Sequence, residues 1–412
     1  MSQRYRSDGF LRYSQQFSCV LWRTRDRTLP GAPLPEIRKI RTSVKKRVRQ
    51  ELVRPAIETV SFDEESIDAI ELSSETFIAD GALADASEAA IQGLSPVALR
   101  LLQAASDMRE SPDSYERAFL ARQLIQCTFP HKDPGNVPIW SRTNGNLTLS
   151  IRPLYDEEKE AHKYPYGTIP RLFLYWMVTE AARTKSRRLC LGQTYPEFMR
   201  KLGLNPANGG VRSDSRRLRD QIERMLRATI SFKQTFRQDG RKGDAWLDMQ
   251  IGPEAVLWWN FDKDSQESLF ESYIELSEKF FTAITSSPIP LDMRALRALR
   301  KSPLSLDLYS LICHKTYSAN KDADTKTIPW EGLHRQMGAE YKELRNFKQK
   351  VMASIRKIRL VYPQMKVEVS EAGMHINPAP LAIPERPGRE SLLGTPEVLP
   401  RPDLKKQSTL KR

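Results

Sequence analysis

The feature that most constrains how this 412-residue chain can fold is a pattern that occurs twice. The short helix predicted at 195–204, "YPEFMRKLGL", and the one at 329–338, "PWEGLHRQMG", share an aromatic start, spaced apolar residues and a glycine, Gly203 or Gly338. Each follows longer apolar helical stretches: "IPRLFLYWMVTEAART" (169–184) before the first, and residues 291–300 and 303–316 before the second. Each is followed by a basic helix and then by residues that alternate apolar and polar, as hairpins do. Helix, turn, basic helix and hairpin in that order is the order of a winged helix, whose second helix enters the DNA major groove. The sequence therefore predicts an α+β protein of two tandem winged-helix domains, at 119–260 and 261–377.

In "RSDSRRLRDQIERMLRATISF" (212–232), Leu218, Ile222, Met225 and Leu226 define one helical face, with Ser213 or Asp214 as N-cap. Arg216, Arg219, Arg224 and Arg227 project opposite, with Arg212 at the start and Asp220 and Glu223 interspersed. Cations along one face neutralise phosphates and release counterions, so this helix suits the DNA backbone. The following strands, carrying Ile230, Phe232 and Phe236 and then Trp246, Leu247, Met249 and Ile251, flank the turn "RQDGRKGD". They predict a wing tipped by Arg237, Arg241 and Lys242. In the second basic helix, predicted at 342–359, Leu344, Phe347, Val351, Ile355 and Ile358 face inward. Lys342, Arg345, Asn346, Gln349, Lys350, Arg356 and Lys357 lie roughly opposite. Amides pair with adenine and Arg or Lys with guanine, so Asn346 and Gln349 give this helix base-reading chemistry. Its hairpin, "KVEVSEAGMHI", is expected to turn at Gly373.

Charge supports an anionic partner. Lys and Arg number 65 against 51 Asp and Glu, a net +14, and residues 119–412 alone carry +15. Residues 1–54 carry +10 and 55–118 carry −11. Both read as a largely disordered N-terminal extension (1–118) with short helices, and 96–126 is expected to be helical. The Pro-rich basic tail 378–412 reads as irregular. Cysteines 19, 127, 190 and 313 form no CxxC pair and no cluster with histidine, so free thiols are expected and no metal or other cofactor is. The apolar runs at 17–22 and 172–178 are too short for a signal-peptide core or a membrane span, so no membrane association is expected.

The stretch "YGTIPRLFLYWMVTEAARTKSRRLCLG", with "EFMRKLGL", "RLRDQIERML" and the upstream "RTNGNLTLSIR", resembles the RepA-type plasmid replication initiators. Its layout resembles the wider class of iteron-binding initiators. The resemblance spans about residues 119–375. It implies a bacterial cytoplasmic protein that binds direct repeats in double-stranded plasmid origin DNA, helps open an adjacent AT-rich region and autoregulates its promoter. It also implies the host initiator and replicative helicase as partners, and a homodimer made through the first winged helix.

Enzymatic readings find little support. A rolling-circle nickase needs histidines spaced His-x-His, and His131, His162, His314, His334 and His375 are scattered. No G-x-x-x-x-G-K-[ST] is present. Asp262 and Asp264 in "FDKD" read as a turn rather than a metal site, and Trp258 with Trp259 as packing rather than a base-stacking platform. A transcriptional regulator built from the same modules is the alternative reading, since promoter and origin binding use the same contacts. A general packaging protein would spread its cations evenly, without Asn and Gln among them.

Overall fold

Ala98, Leu101 and Ala105 recur at helical spacing, and Pro96–Glu110 is a helix (α1) that buries all three. The computed structural model describes residues 96–111, 116–207, 210, 213–238, 241–257, 272–337 and 341–384. The extension 1–95, the tail beyond 384, Arg212, Trp258, Trp259, Asp262, Asp264 and Gly338 lie outside the described residues. Segment 116–126 is not the helix expected. Arg117–Ala121 is a strand (β1), and only Arg122–Gln126 is helical (α2). Pairing decides this, because β1 runs antiparallel to β11 (Pro288–Asp292), with Arg117 opposite Asp292 and Ala121 opposite Pro288. Residues 96–118, placed by sequence in the N-terminal extension, are therefore built into the body, with α1 packed on two helices described below.

A first unit follows. The hairpin of β2 (Trp140–Asn144) and β3 (Leu147–Arg152) turns at Gly145, which takes φ +59. Strands β4 (Leu154–Asp156) and β5 (Ala161–Lys163) pair beside it. The apolar run is α3 (Thr168–Thr184), buried over most of its surface. Then come β6 (Arg188–Cys190), α4 (Tyr195–Lys201), α5 (Asp214–Arg227), the hairpin β7 (Thr229–Gln238) and β8 (Arg241–Gln250), β9 (Glu254–Val256) and β10 (Tyr273–Glu275). The β7–β8 hairpin is not an isolated wing. Residues 147–152 of β3 pair with 229–234 of β7, making a four-stranded sheet in the order β2-β3-β7-β8. A second, small sheet has the order β6-β10-β9. Tyr273–Glu275, expected in the second domain, is its central strand, with Ile274 wholly buried.

The second unit contains α6 (Glu278–Thr285), α7 (Met293–Leu299), α8 (Pro303–Asp322), β12 (Lys326–Pro329), α9 (Trp330–Met337), α10 (Leu344–Val361), β13 (Val367–Val369) and β14 (Gly373–Ile376). The stretch 277–285, expected as extended, is helical because Ser277 caps it, accepting from Phe280 N at 3.2 Å. The sheet order β12-β14-β13 repeats β6-β10-β9, and in both units a long helix, a strand and two helices precede the last two strands. The counterpart of β13–β14 is thus β9–β10, and β7–β8 is an addition. Gly373 serves close approach rather than the turn, since a β-carbon there would sit 2.2 Å from the Ile328 carbonyl oxygen. The start of the tail is pinned, with Asn320 bonded to both N–H and C=O of Ala379 and Ile383 buried.

The two units are joined through buried charge. Arg171 of α3 forks onto Asp307 of α8, with Nε to Oδ1 and Nη2 to Oδ2 both at 2.8 Å. Its remaining N–H groups donate to the carbonyls of Phe129, Pro130 and Gly167, so all five are used. His131 Nε2 lies 2.8 Å from Asp307 Oδ2. Burial alone would raise the Asp307 pKa, but Arg171 and His131 outweigh it and hold the carboxyl well below the usual range. Arg142 of β2 donates to the Gln336 carbonyl, and Gln336 Nε2 to the Ile125 carbonyl. At the other side, Arg297 of α7 bonds the Lys201 carbonyl at the end of α4. Gly203, at φ +73, lets it pass, for a β-carbon there would be 2.9 Å from Arg297 Cγ.

Asp307→Ala is expected to cost about 3–5 kcal/mol in urea unfolding, because it leaves Arg171 buried without its counter-ion. Acid should weaken the fold as well. Burial, then Lys315 and Arg122, push His314 down to about 3, and burial also lowers His131. The folded rings stay neutral while the unfolded chain protonates near pH 6.5. Stability should therefore fall from about pH 6.5 toward 3, by up to ~1.4 kcal/mol per pH unit for each ring. Unfolding free energies that stay level between pH 7.5 and 4.5 would contradict this.

Candidate nucleic-acid interface

Helix α5 begins where Ser213 accepts a bond from Arg216 N at 3.3 Å, and it buries Leu218, Gln221, Ile222, Met225 and Leu226. Gln221, a polar member of that face, accepts from Tyr166 N at 2.9 Å and so ties α5 to the residues before α3. Arg216, Arg219 and Arg227 are exposed, and Arg227 lies 3.6 Å from Glu223. Arg224 differs. It is 2.9 Å from Asp220 and 3.7 Å from Asp133, donates to the Tyr164 carbonyl and covers the Tyr166 ring. Its charge is engaged within the fold, as the i,i+4 acid Asp220 signals in the sequence.

Helix α10 starts two residues later than expected, so Lys342 precedes it. Phe347, Val351, Ile355 and Ile358 are buried, and Phe347 meets the rings of His334 and Tyr341. Lys342, Arg345, Asn346, Gln349 and Lys350 are exposed along its first turns. The Asn346 amide lies 3.5 Å from Glu343, a long contact that leaves it available for another partner. Arg356 and Lys357, expected on the same open face, are half-buried, because α1 packs along this helix. Burial and the neighbouring Lys350, Arg100 and Arg356 lower the Lys357 pKa. Sequence reasoning missed the α1 contact, whose signal was the apolar spacing of Ala98, Leu101 and Ala105.

The β7–β8 hairpin carries Arg237 opposite Lys242 and Gln238 opposite Arg241. Arg237, Arg241 and Lys242 are all exposed. Phe236 lies across Gly243, where a β-carbon would come within 2.6 Å of the ring. Because β3 pairs only as far as Gln234, the tip projects past the sheet. Trp246, on the outer face beside Lys233, is 69% exposed. Among the described residues no group of His, Cys, Asp and Glu could hold a metal ion, and no helix is long and apolar enough to cross a membrane.

The arrangement is an α+β body presenting two basic helices, each preceded by a short helix and followed by paired strands. Its family is carried by residues 164–332, which match the RepA_C family model, described as plasmid encoded RepA protein. Over that segment, from just before α3 into α9, the chain carries the RepA_C module of plasmid-encoded RepA proteins. Two solved structures of RctB are also similar. Domains 2 and 3 as a selenomethionine derivative give 11% identity and a TM-score of 0.40, covering 63% of this chain and 96% of that one. A second structure of domains 2–3 gives 10% identity and a TM-score of 0.33, covering 60% of this chain and 85% of that one. No curated protein matches the sequence.

The two kinds of arginine on α5 should separate experimentally. Arg224→Ala is expected to lower the melting temperature with little change in the salt dependence of DNA binding. Arg216→Ala should leave melting unchanged and flatten the slope of log K against log [salt] by about one. Identical behaviour of the two variants in both assays would contradict the assignment.

Proposed function

We propose that this chain initiates plasmid replication by binding direct repeats in origin DNA through two tandem winged helices. The observation that carries the reading is the repeat itself, set across a RepA_C segment. Two units share one element order and one strand order, and each displays a basic helix at the same place. Helix α10 reads bases through Asn346, Gln349 and Arg345, with Lys342 and Lys350 on flanking phosphates. Helix α5 holds the backbone through Arg216, Arg219 and Arg227, with Arg237, Arg241 and Lys242 of the hairpin tip and Arg212 ahead of the helix adding to it. Arg356 and Lys357 contribute positive potential from beside α1. Local opening of the origin, delivery of the host helicase and promoter autoregulation follow from the RepA-type reading. No covalent chemistry on DNA is assigned to the chain.

If six to ten phosphates are neutralised, log K should fall against log [salt] with a slope of about −5 to −9. Gln349→Ala should relax base preference, costing roughly 1–3 kcal/mol on repeat DNA and little on random duplex. Equal losses on both would remove α10 as the reading helix. The decisive test places the coding sequence and its flanking DNA on a selectable circle. Replication that depends on the chain is expected, and a circle that replicates equally well without it would overturn the proposal in favour of promoter control.

A further inference from the structure

Where α1 crosses α7 and α10, cations gather without enough carboxylates to answer them. Arg100 of α1 donates Nε to the Ala298 carbonyl at 3.3 Å, which brings its guanidinium to the C-terminal end of α7. Its Nη2 is fully buried and has no hydrogen-bond partner. Arg300, just past α7, donates to the Arg297 carbonyl at 3.2 Å and is half-buried. Lys357 approaches from α10, also half-buried. None of these three forms an ion pair among the described residues, and Asp214, at the start of α5, is the acid acting on Arg300. Mutual repulsion and burial lower the pKa of all three. A buried donor left unsatisfied costs about 1–3 kcal/mol, more when charged, so such a cluster is stabilised by whatever anion fills it.

We propose that Arg100 and Arg300, together with Lys357, form an oxyanion site that takes one backbone phosphate of the DNA lying along α10. The site rests on the DNA-binding reading above and extends it in one respect. It makes α1 part of the interface, with Arg100 supplying paired N–H donors that a phosphate accepts in bidentate fashion. Arg300, between Asp214 at the start of α5 and the cations of α10, places this phosphate between the two basic helices. The positive N-terminal end of α1, which has no acid in its first turn, adds to the local field.

The full chain tests this in two arms. In the first, Arg100→Gln and Arg300→Gln are titrated with repeat and random duplex across salt. Each should flatten the slope of log K against log [salt] by about one unit on both DNAs. In the second, wild-type melting is followed with inorganic phosphate against chloride at equal ionic strength. Phosphate should raise the wild-type melting temperature but not that of Arg100→Gln. An unchanged slope in both variants overturns the DNA contact, and with a surviving phosphate response it makes this a site for a free anion. Loss of neither response overturns the site altogether. If Arg100→Gln does not fold, Arg100→Lys and Lys357→Gln replace it, with a partial and a full loss of the phosphate response expected. A wild-type chain with no salt-dependent DNA binding would sink the functional reading instead, and the phosphate arm would then still report on the site.

Discussion

The buried fork between Arg171 and Asp307 is the interaction on which the rest of this body depends. One charge sits on the central helix of each unit, and neither is tolerable in the core without the other. Every guanidinium N–H is satisfied, three of them by carbonyls at Phe129, Pro130 and Gly167. The same side chain therefore fixes the angle between α3 and α8 and anchors the loop that leads into α3. His131 completes the set as a neutral donor to Asp307, held in that state by burial.

From that joint the basic helices are positioned indirectly. Helix α3 packs on α5, with the Gln221 bond to Tyr166 N close to the start of α3. Helix α8 packs on α10, with Tyr309 against Tyr362 at its end. The Arg297 contact over Gly203 closes the opposite side by tying α7 to α4. Polar contacts thus set the geometry, while leucine, isoleucine and phenylalanine faces supply most of the burial.

Much of this was legible in the chain. The inner faces of α5 and α10, the Ser213 cap and the β13–β14 pair follow from periodicity and local hydrogen bonding, which act within a few residues. What was not legible depends on distant partners. "RAFLA" is a strand only because Pro288–Asp292 lies beside it, and the β7–β8 hairpin is a sheet element only because β3 offers an edge. Tyr273–Glu275 joins the first unit because it completes a sheet begun at Arg188. Within the candidate interface, the exposed residues of α10 up to Lys350 were legible as a polar face. Arg224 and Lys357 were misplaced by the same face argument, which does not see Asp133 or α1 arriving from elsewhere. The acid at Asp307 had a signal that went unread, a lone carboxylate within the apolar "PLSLDLYSLI".

The buried fork also has a mechanical meaning. Two helices carried on a body whose halves are bolted through a desolvated ion pair behave as callipers locked at one opening. Turning one half against the other would separate Arg171 from Asp307 inside the core, at a cost of several kcal/mol. Smoothly bending a 20–30 bp duplex costs about 1–6 kcal/mol, and flexible pyrimidine–purine steps cost least. On the proposed reading, then, the duplex is the softer partner. A duplex whose natural twist does not match the opening of the callipers would be the one to yield, storing torsion in its base steps rather than in the protein.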